Sequence, residues 1–508
     1  MGWHTRQIDF ILAYPQADAE CQLYMEIPKG FNVSGGNDNY CLMILKNIYG
    51  QRQAGQKWSS HLKKGLQECG FSQSKVDECM FYKDTVIFMV YVDDAILLSP
   101  HSKAIDASLK DLREWSKLTE EGDIADYLGL QVSRLPTGAM ALTQPQLITS
   151  ILHDLNFSKN TKAKNTPAVS TQLLQHDPEG EKFNEHWDYW SVIGKLNFLE
   201  KSSCPDLAFA VHQCACFLSD PCKLHANAVK QIGRYLIGTR DKGIILRPDS
   251  ALSFLVWANA DFVGNWNQET AISDATTAKL RSGFLITYSG CPISWASRMQ
   301  TKVALSTTES EYISLSSALC ETIPMMNLIQ EFKDKIAIGA VVTIPKICCT
   351  LFEDNSGAFE LANIPKMRPR TKHINIKYHH FRDFVRRGLV MVQSVSTANQ
   401  LADIFTKPLP CDLFIKFRDQ ILLWDPKYLR IKSNEGVWDY MTTSILILLH
   451  LPDGRSTTKH EIEFSVPLSR HSITITFCSI YQCCYKHMQL FFFIRLLISI
   501  YLLSTAYQ

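Results

Sequence analysis

The stretch VIFMVYVDDAILLSP, residues 86–100, decides how the chain is read. Two apolar runs flank the adjacent acids Asp93 and Asp94. Runs of that composition read as buried strands, and the acidic pair falls where a hairpin must turn. Two carboxylates pressed together repel, so one resists ionisation unless a cation lies between them. Asp is also an ordinary turn residue, and the letters YVDD alone leave a surface turn open. A third carboxylate, Asp9 in the strand-like run DFILAYPQAD, tips the balance. Three acids converging at strand ends can hold two magnesium ions, an arrangement suited to phosphoryl or nucleotidyl transfer. The cations would relieve the repulsion and keep both aspartates ionised.

Outward from this hairpin, the composition is that of an ordinary globular protein, with 46% hydrophobic and 20% charged residues, which excludes a disordered chain. A length of 508 residues leaves room for several domains. The net charge of +2 gives no global footprint for nucleic acid, so any such footprint must be local. Sixteen cysteines without a regular framework suit reduced thiols, and the expected location is the cytoplasm, with the nucleus as an alternative. The first 30 residues carry Asp9, Asp18 and Glu20 and no continuous apolar core, so a signal peptide is not expected.

Residues 51–69 read as an amphipathic helix with Trp58, Leu62 and Leu66 on one face. Residues 108–117 read as a helix, and residues 127–142 as a strand pair turning at Pro136-Thr137-Gly138. The polar stretch 161–185 reads as a linker. A second body begins near residue 251, where LSFLVWANADF and the hairpin RSGFLITYSGCPISW read as strands. Ser306 with Glu309 three residues on forms a capping box opening a helix. Further strands and helices alternate to a last helix holding Asp403, which calls for a mixed sheet with helices on its faces.

The segments RQIDFILAYPQADAECQLYMEIPKGF, NIYGQRQAGQKWSSHL, SKVDECMFY and VYVDDAILL resemble the reverse transcriptase of copia-type retrotransposons. NADFVGNW, RSGFLITYSGCPISWASRMQTKVALSTTESEYISL, FEDNSGAFELAN, RTKHINIKYHHFRDF and QLADIFTKPL resemble the ribonuclease H domain that follows it, and occur in the family's order. The resemblance implies an α+β and α/β chain: a polymerase palm at 1–165, a thumb or connection at 166–250, a ribonuclease-H-like mixed-sheet domain at 251–410, and a tail at 411–508 without resemblance. It implies that Asp9, Asp93 and Asp94 bind the palm metals, Mg2+. Tyr14 matches the ring under the incoming sugar, which would clash with a ribose 2′-hydroxyl. Gln53 matches a glutamine beside the nucleotide pocket. The implied partners are an RNA template, a DNA primer, deoxynucleoside triphosphates and an RNA–DNA hybrid.

For the second domain the resemblance implies four acids around two metals, and Glu311, Asp354 and Asp403 fit three of the positions. The fourth is occupied by Asn259, two residues before Asp261, and an amide brings no charge to a magnesium ion. Glu309 reads as the helix cap rather than a ligand. The family also carries fingers ahead of the first palm motif, where this sequence opens at Met1; the expectation is a polymerase impaired by the missing fingers and by Asn259. The alternative is a catalytically inactive nucleic-acid-binding remnant.

Between Lys366 and Arg387 stand eight Lys or Arg and one acid, interleaved with Tyr378, Phe381 and Phe384. Arg370 and Lys372 are read as phosphate contacts and the aromatics as core. His212, Cys214, Cys216, Cys222 and His225 crowd together, but their spacings fit no common zinc finger, and buried thiols are the better account. Residues 488–507 are apolar but interrupted by Arg495, and a membrane span is not expected.

Overall fold

The computed structural model describes residues 3–30, 40–49, 51–158, 160–169, 173–177, 179–249, 253–261, 280–301, 303–335, 347–363 and 376–424. Its first strand, β1 (His4–Phe10), leads through a short helix α1 (Ala13–Gln16) into a ribbon of β2 (Asp18–Glu26) and β3 (Cys41–Lys46). After helix α2 (Ala54–Glu68) come β4 (Ser72–Gln73), β5 (Met80–Lys83), β6 (Val86–Tyr91) and β7 (Asp94–Ser99), then α3 (Ser102–Trp115) and β8 (Leu118–Gly122). Six of these strands form one antiparallel sheet in the order β4-β5-β6-β7-β1-β8.

The apolar runs around Asp93 are continuous because both faces of this sheet are covered. Successive strand side chains point to opposite faces. Phe88, Val90 and Leu97 pack with Trp58, Leu62 and Leu66 of α2 and Leu109 and Leu112 of α3. Ile87, Met89, Ile96 and Leu98 join the larger core that runs through the rest of the molecule. An alternating pattern would have left one face wet.

A second, four-stranded sheet is ordered β12-β11-β10-β9, from β9 (Asp126–Tyr127), β10 (Leu130–Arg134), β11 (Met140–Thr143) and β12 (Ile244–Leu246). Residues on both sides of position 165 therefore share a sheet. Among the described residues, four α-helices lie between its last two strands in sequence: α4 (Pro145–Asp154), α5 (Tyr189–Ser202), α6 (Ala208–Ala215) and α7 (Lys223–Thr239). The stretch read as a linker is strapped along α7. The Lys164 N–H donates to the Arg234 carbonyl (3.1 Å) and the Lys223 N–H to the Glu181 carbonyl (2.8 Å). The Gln231 amide donates to the Thr166 carbonyl (2.9 Å), and Leu174 is buried. Polar composition hid these backbone anchors.

The third sheet is mixed. β13 (Phe254–Asp261), β14 (Arg281–Tyr288) and β15 (Cys291–Met299) run antiparallel, and β16 (Cys349–Glu353) and β17 (Val390–Ser394) join parallel to β13, in the order β15-β14-β13-β16-β17. Helix α8 (Thr307–Lys335) crosses this sheet, tied by the Ser314 hydroxyl to the Asn259 carbonyl (2.8 Å). Near its end, Phe332 meets Trp3, just before β1, and Tyr82 of β5 at ring-centroid separations of 6.3 and 6.2 Å. The described chain closes with α9 (Ser356–Asn363), α10 (Arg382–Arg386) and α11 (Cys411–Leu422). Asp403 sits not on a full helix but in the 3-10 turn Leu401–Phe405. That turn lies against β14 where Gly283 has no side chain: a Cβ there would come within 2.7 Å of Phe405 and Thr406.

No helix among the described residues is long and apolar enough to cross a membrane. The apolar stretch 488–507, with the rest of the tail beyond residue 424, lies outside the described residues.

Candidate functional site

Two acidic centres are built at strand ends. In the first, β1 and β7 pair so that Asp9 stands directly opposite Asp94. Asp93 occupies the turn between β6 and β7, next to Val92, whose φ of 58° places a β-branched residue in the left-handed region. Such a conformation costs roughly 1–3 kcal/mol and persists only where its surroundings hold it. Here the Trp58 indole N–H donates to the Val92 carbonyl, and the Phe10 N–H donates to the Asp93 carbonyl (2.9 Å). The turn is thus pinned to α2 and to the strand that carries Asp9.

The electrostatics follow from this crowding. Burial, then the carboxylates of Asp93, Asp9 and Glu121, push Asp94 up to about 6. Burial, Asp93 and Glu121 raise Asp9 as well. Asp9 and Asp94, with raised proton affinity, and the oxygen donors of Asp93 beside them fit a hard divalent cation, which would offset the repulsion. Glu121, on the neighbouring strand β8, is a fourth acid at this centre that the sequence reading missed; the Gln7 amide donates to it.

Tyr14 is half-buried on α1, its hydroxyl 3.7 Å from where a Cβ on Gly55 would sit. Its ring lies against Tyr49 at a centroid separation of 4.4 Å, and the Tyr49 hydroxyl donates to Asp93 Oδ2 (3.2 Å). Tyr49 was also missed: it lies far from the acids in sequence and no pattern links it to them. Gln53 immediately precedes α2, at the helix end that carries Gly55.

The second centre lies on the mixed sheet. Asn259 on β13 donates through its amide to Asp403 Oδ1 and to Thr406 Oγ1, each at 2.7 Å. Asp261 shares its face of the strand, but it is Asn259 that contacts Asp403. Lys407 holds the other Asp403 oxygen at 2.9 Å. Burial nevertheless pushes the Asp403 carboxyl up to about 6, against the lowering by Lys407. Glu311 on α8 accepts the Ala260 N–H at 2.6 Å. Burial, followed by Glu353 and Asp354, raises its carboxyl well above the ordinary range. Glu309 accepts the Leu305 N–H (2.7 Å) while its own N–H donates to the Ser306 hydroxyl (3.1 Å), so it is occupied as a cap.

Glu353 is the residue that sequence reasoning passed over here. Its carboxylate, with those of Glu311 and Asp354, places ligand oxygens within 4.8 Å of one another, the one such group among the described residues. The Cys–His cluster behaves differently: His225 is stacked on Phe217 and accepts the Cys222 N–H (3.0 Å) as part of a helix cap. Tyr378 and Phe381 are buried, as core aromatics should be. Arg370 and Lys372 lie outside the described residues.

Comparison with known proteins gives this arrangement a context. Residues 1–170 match the family Reverse transcriptase (RNA-dependent DNA polymerase). The chain is 30% identical over 424 residues to the Retrovirus-related Pol polyprotein from transposon RE1 of Arabidopsis thaliana, covering 83% of this chain and 27% of that protein. The polyprotein from transposon TNT 1-94 of Nicotiana tabacum is likewise 30% identical, over 81% of this chain and 30% of its own length. The chain thus spans under a third of the length of these two relatives. The N-terminal ribonuclease H domain of rv2228c from Mycobacterium tuberculosis, solved as a fusion with maltose binding protein, aligns over 33% of this chain and 96% of that one, at 10% identity and a TM-score of 0.19.

The first third of the chain matches the reverse transcriptase family, and a five-stranded mixed sheet follows it. Over more than four fifths of its length the chain is similar to the Pol polyproteins of copia-type retrotransposons.

Proposed function

We propose that the first sheet is the palm of a polymerase that extends a DNA primer on an RNA or DNA template. The observation that carries this reading is the register that sets Asp9 opposite Asp94 while a pinned turn presents Asp93 beside them. These three residues would hold two magnesium ions, which supply activation of the attacking oxygen and stabilisation of the leaving one. The pinned turn keeps Asp93 in place without reorganisation. Tyr14, braced by Tyr49, underlies the incoming sugar and excludes a 2′-hydroxyl, and Gln53 borders the nucleotide pocket at the start of α2.

The body from residue 251 to 410 is proposed to bind an RNA–DNA hybrid, with Arg370 and Lys372 on its phosphates, and to cleave the RNA strand poorly because Asn259 stands where the family has an acid. Residues 166–250 connect the two. Primer extension by the chain is the test. Loss of extension on Asp93→Asn supports the assignment; unchanged extension would remove it.

The second reading, a nucleic-acid-binding remnant without nuclease activity, is favoured for the ribonuclease-H-like body alone. Its supporting observation is the Asn259–Asp403 hydrogen bond, which closes the position where a metal would be shared.

A further inference from the structure

We infer that the ribonuclease-H-like body binds a single divalent cation at a displaced site formed by Glu311, Glu353 and Asp354, with neither Asn259 nor Asp403 as a ligand. The inference concerns cation affinity and stands apart from whether the chain polymerises or cleaves.

It starts from the oxygens already taken. Both carboxylate oxygens of Asp403 are occupied, one by the Asn259 amide and one by Lys407, so its charge is matched inside the protein. The other three acids are each matched on one side only. Glu311 Oε2 accepts the Ala260 N–H, Asp354 Oδ2 accepts the Thr397 hydroxyl (2.8 Å), and Glu353 Oε1 accepts the Asn355 N–H (2.9 Å). Each keeps a second oxygen. For Glu353 that atom, Oε2, is fully buried and has no hydrogen-bond partner among the described residues, and the residue as a whole is 0% exposed.

A buried acceptor without a partner is disfavoured unless something unrecorded by the polypeptide satisfies it. Two more carboxylates lie with ligand oxygens inside 4.8 Å, which makes a neutral partner insufficient and a cation the natural one. Three carboxylates, oxygen donors only, and no sulfur or imidazole in the group fit Mg2+ or Mn2+ rather than zinc. Glu353 thereby returns, at a neighbouring position, the negative charge absent at Asn259. The cation is moved toward β16 and away from the 3-10 turn that carries Asp403.

Manganese binding by the full chain carrying Asp93→Asn and Asp94→Asn, which disarms the first centre, tests this. Free Mn2+ is read by its electron paramagnetic resonance signal. One site should remain. Glu353→Gln should weaken it by at least about tenfold, because one of three ligand charges is lost. Asp403→Asn should leave it within about threefold, since Asp403 lends the site no ligand oxygen. Glu311→Gln serves as a second ligand variant, expected to weaken binding like Glu353→Gln, should the latter fail to fold. Equal affinity in whichever of these ligand variants folds, loss of the site on Asp403→Asn, or the absence of any remaining site would overturn the assignment.

Discussion

The two acidic centres differ in how each treats its own repulsion. At the first, Asp9, Asp93 and Asp94 are held together by strand register and by a strained turn, and the molecule leaves their charges unmatched. At the second, an amide and a lysine close over Asp403 and quench it. Acids of the same kind at strand ends therefore mean different things. Metal capacity is expected only at acids whose repulsion the scaffold maintains, which at the second centre leaves Glu311, Glu353 and Asp354 but not Asp403.

The comparison breaks most sharply at Asp93. Asp93→Asn should reduce primer extension by about 10²-fold or more, as expected on removing a preorganised charge, while leaving hybrid binding unchanged. Single-turnover extension beside a filter-binding measurement would separate the two. A smaller effect is expected from stability. Asp94 keeps its proton up to about 6 in the fold, against an ordinary value of 3.8. Folding thus takes up a proton between those values, and stability falls as pH rises through that window. Asp94→Asn should therefore stabilise the metal-free chain above about pH 6 and do nothing below about pH 4. The gain should be about 1 kcal/mol, allowing for solvent screening of a half-exposed group. Thermal melts at the two pH values check this, and added Mg2+ should give the parent chain a similar gain. The smallest effect belongs to Glu309. Glu309→Gln should lower stability by about 0.5 kcal/mol through the helix cap and leave Mn2+ affinity unchanged, which separates it from its neighbour Glu311.

Much of the first centre was legible because its residues sit on long, unbroken apolar runs. The hairpin around Asp93, the α2 face of Trp58, Leu62 and Leu66, and the strand of Asp9 all follow from period and composition. Glu121 and Tyr49 were not legible, since each reaches the acids only through tertiary pairing. Glu353 was hidden by a rule that usually helps. Adjacent strand residues face opposite ways, so Glu353 and Asp354 read as one inward and one outward acid. The strand ends at Glu353, and the Asn355 N–H turns back onto its carboxylate, which brings both acids to the same cluster. The turn holding Asp403 was taken for a helix because a single 3-10 turn and a helix share the same short apolar spacing.

Asn259 is proposed to disarm the position at Asp403 where a metal would be shared, while Asp9, Asp93 and Asp94 keep theirs. Cleavage of an RNA–DNA hybrid in Mg2+ by the full chain, before and after Asn259→Asp, tests it most directly. Slow cleavage by the parent is expected, with a gain of about 10²-fold or more in the variant, whose new carboxylate faces Asp403 and needs a cation between them. Fast cleavage by the parent would contradict it. So would a variant that changes nothing while Asp261→Asn abolishes cutting, because the ligand on β13 would then be Asp261.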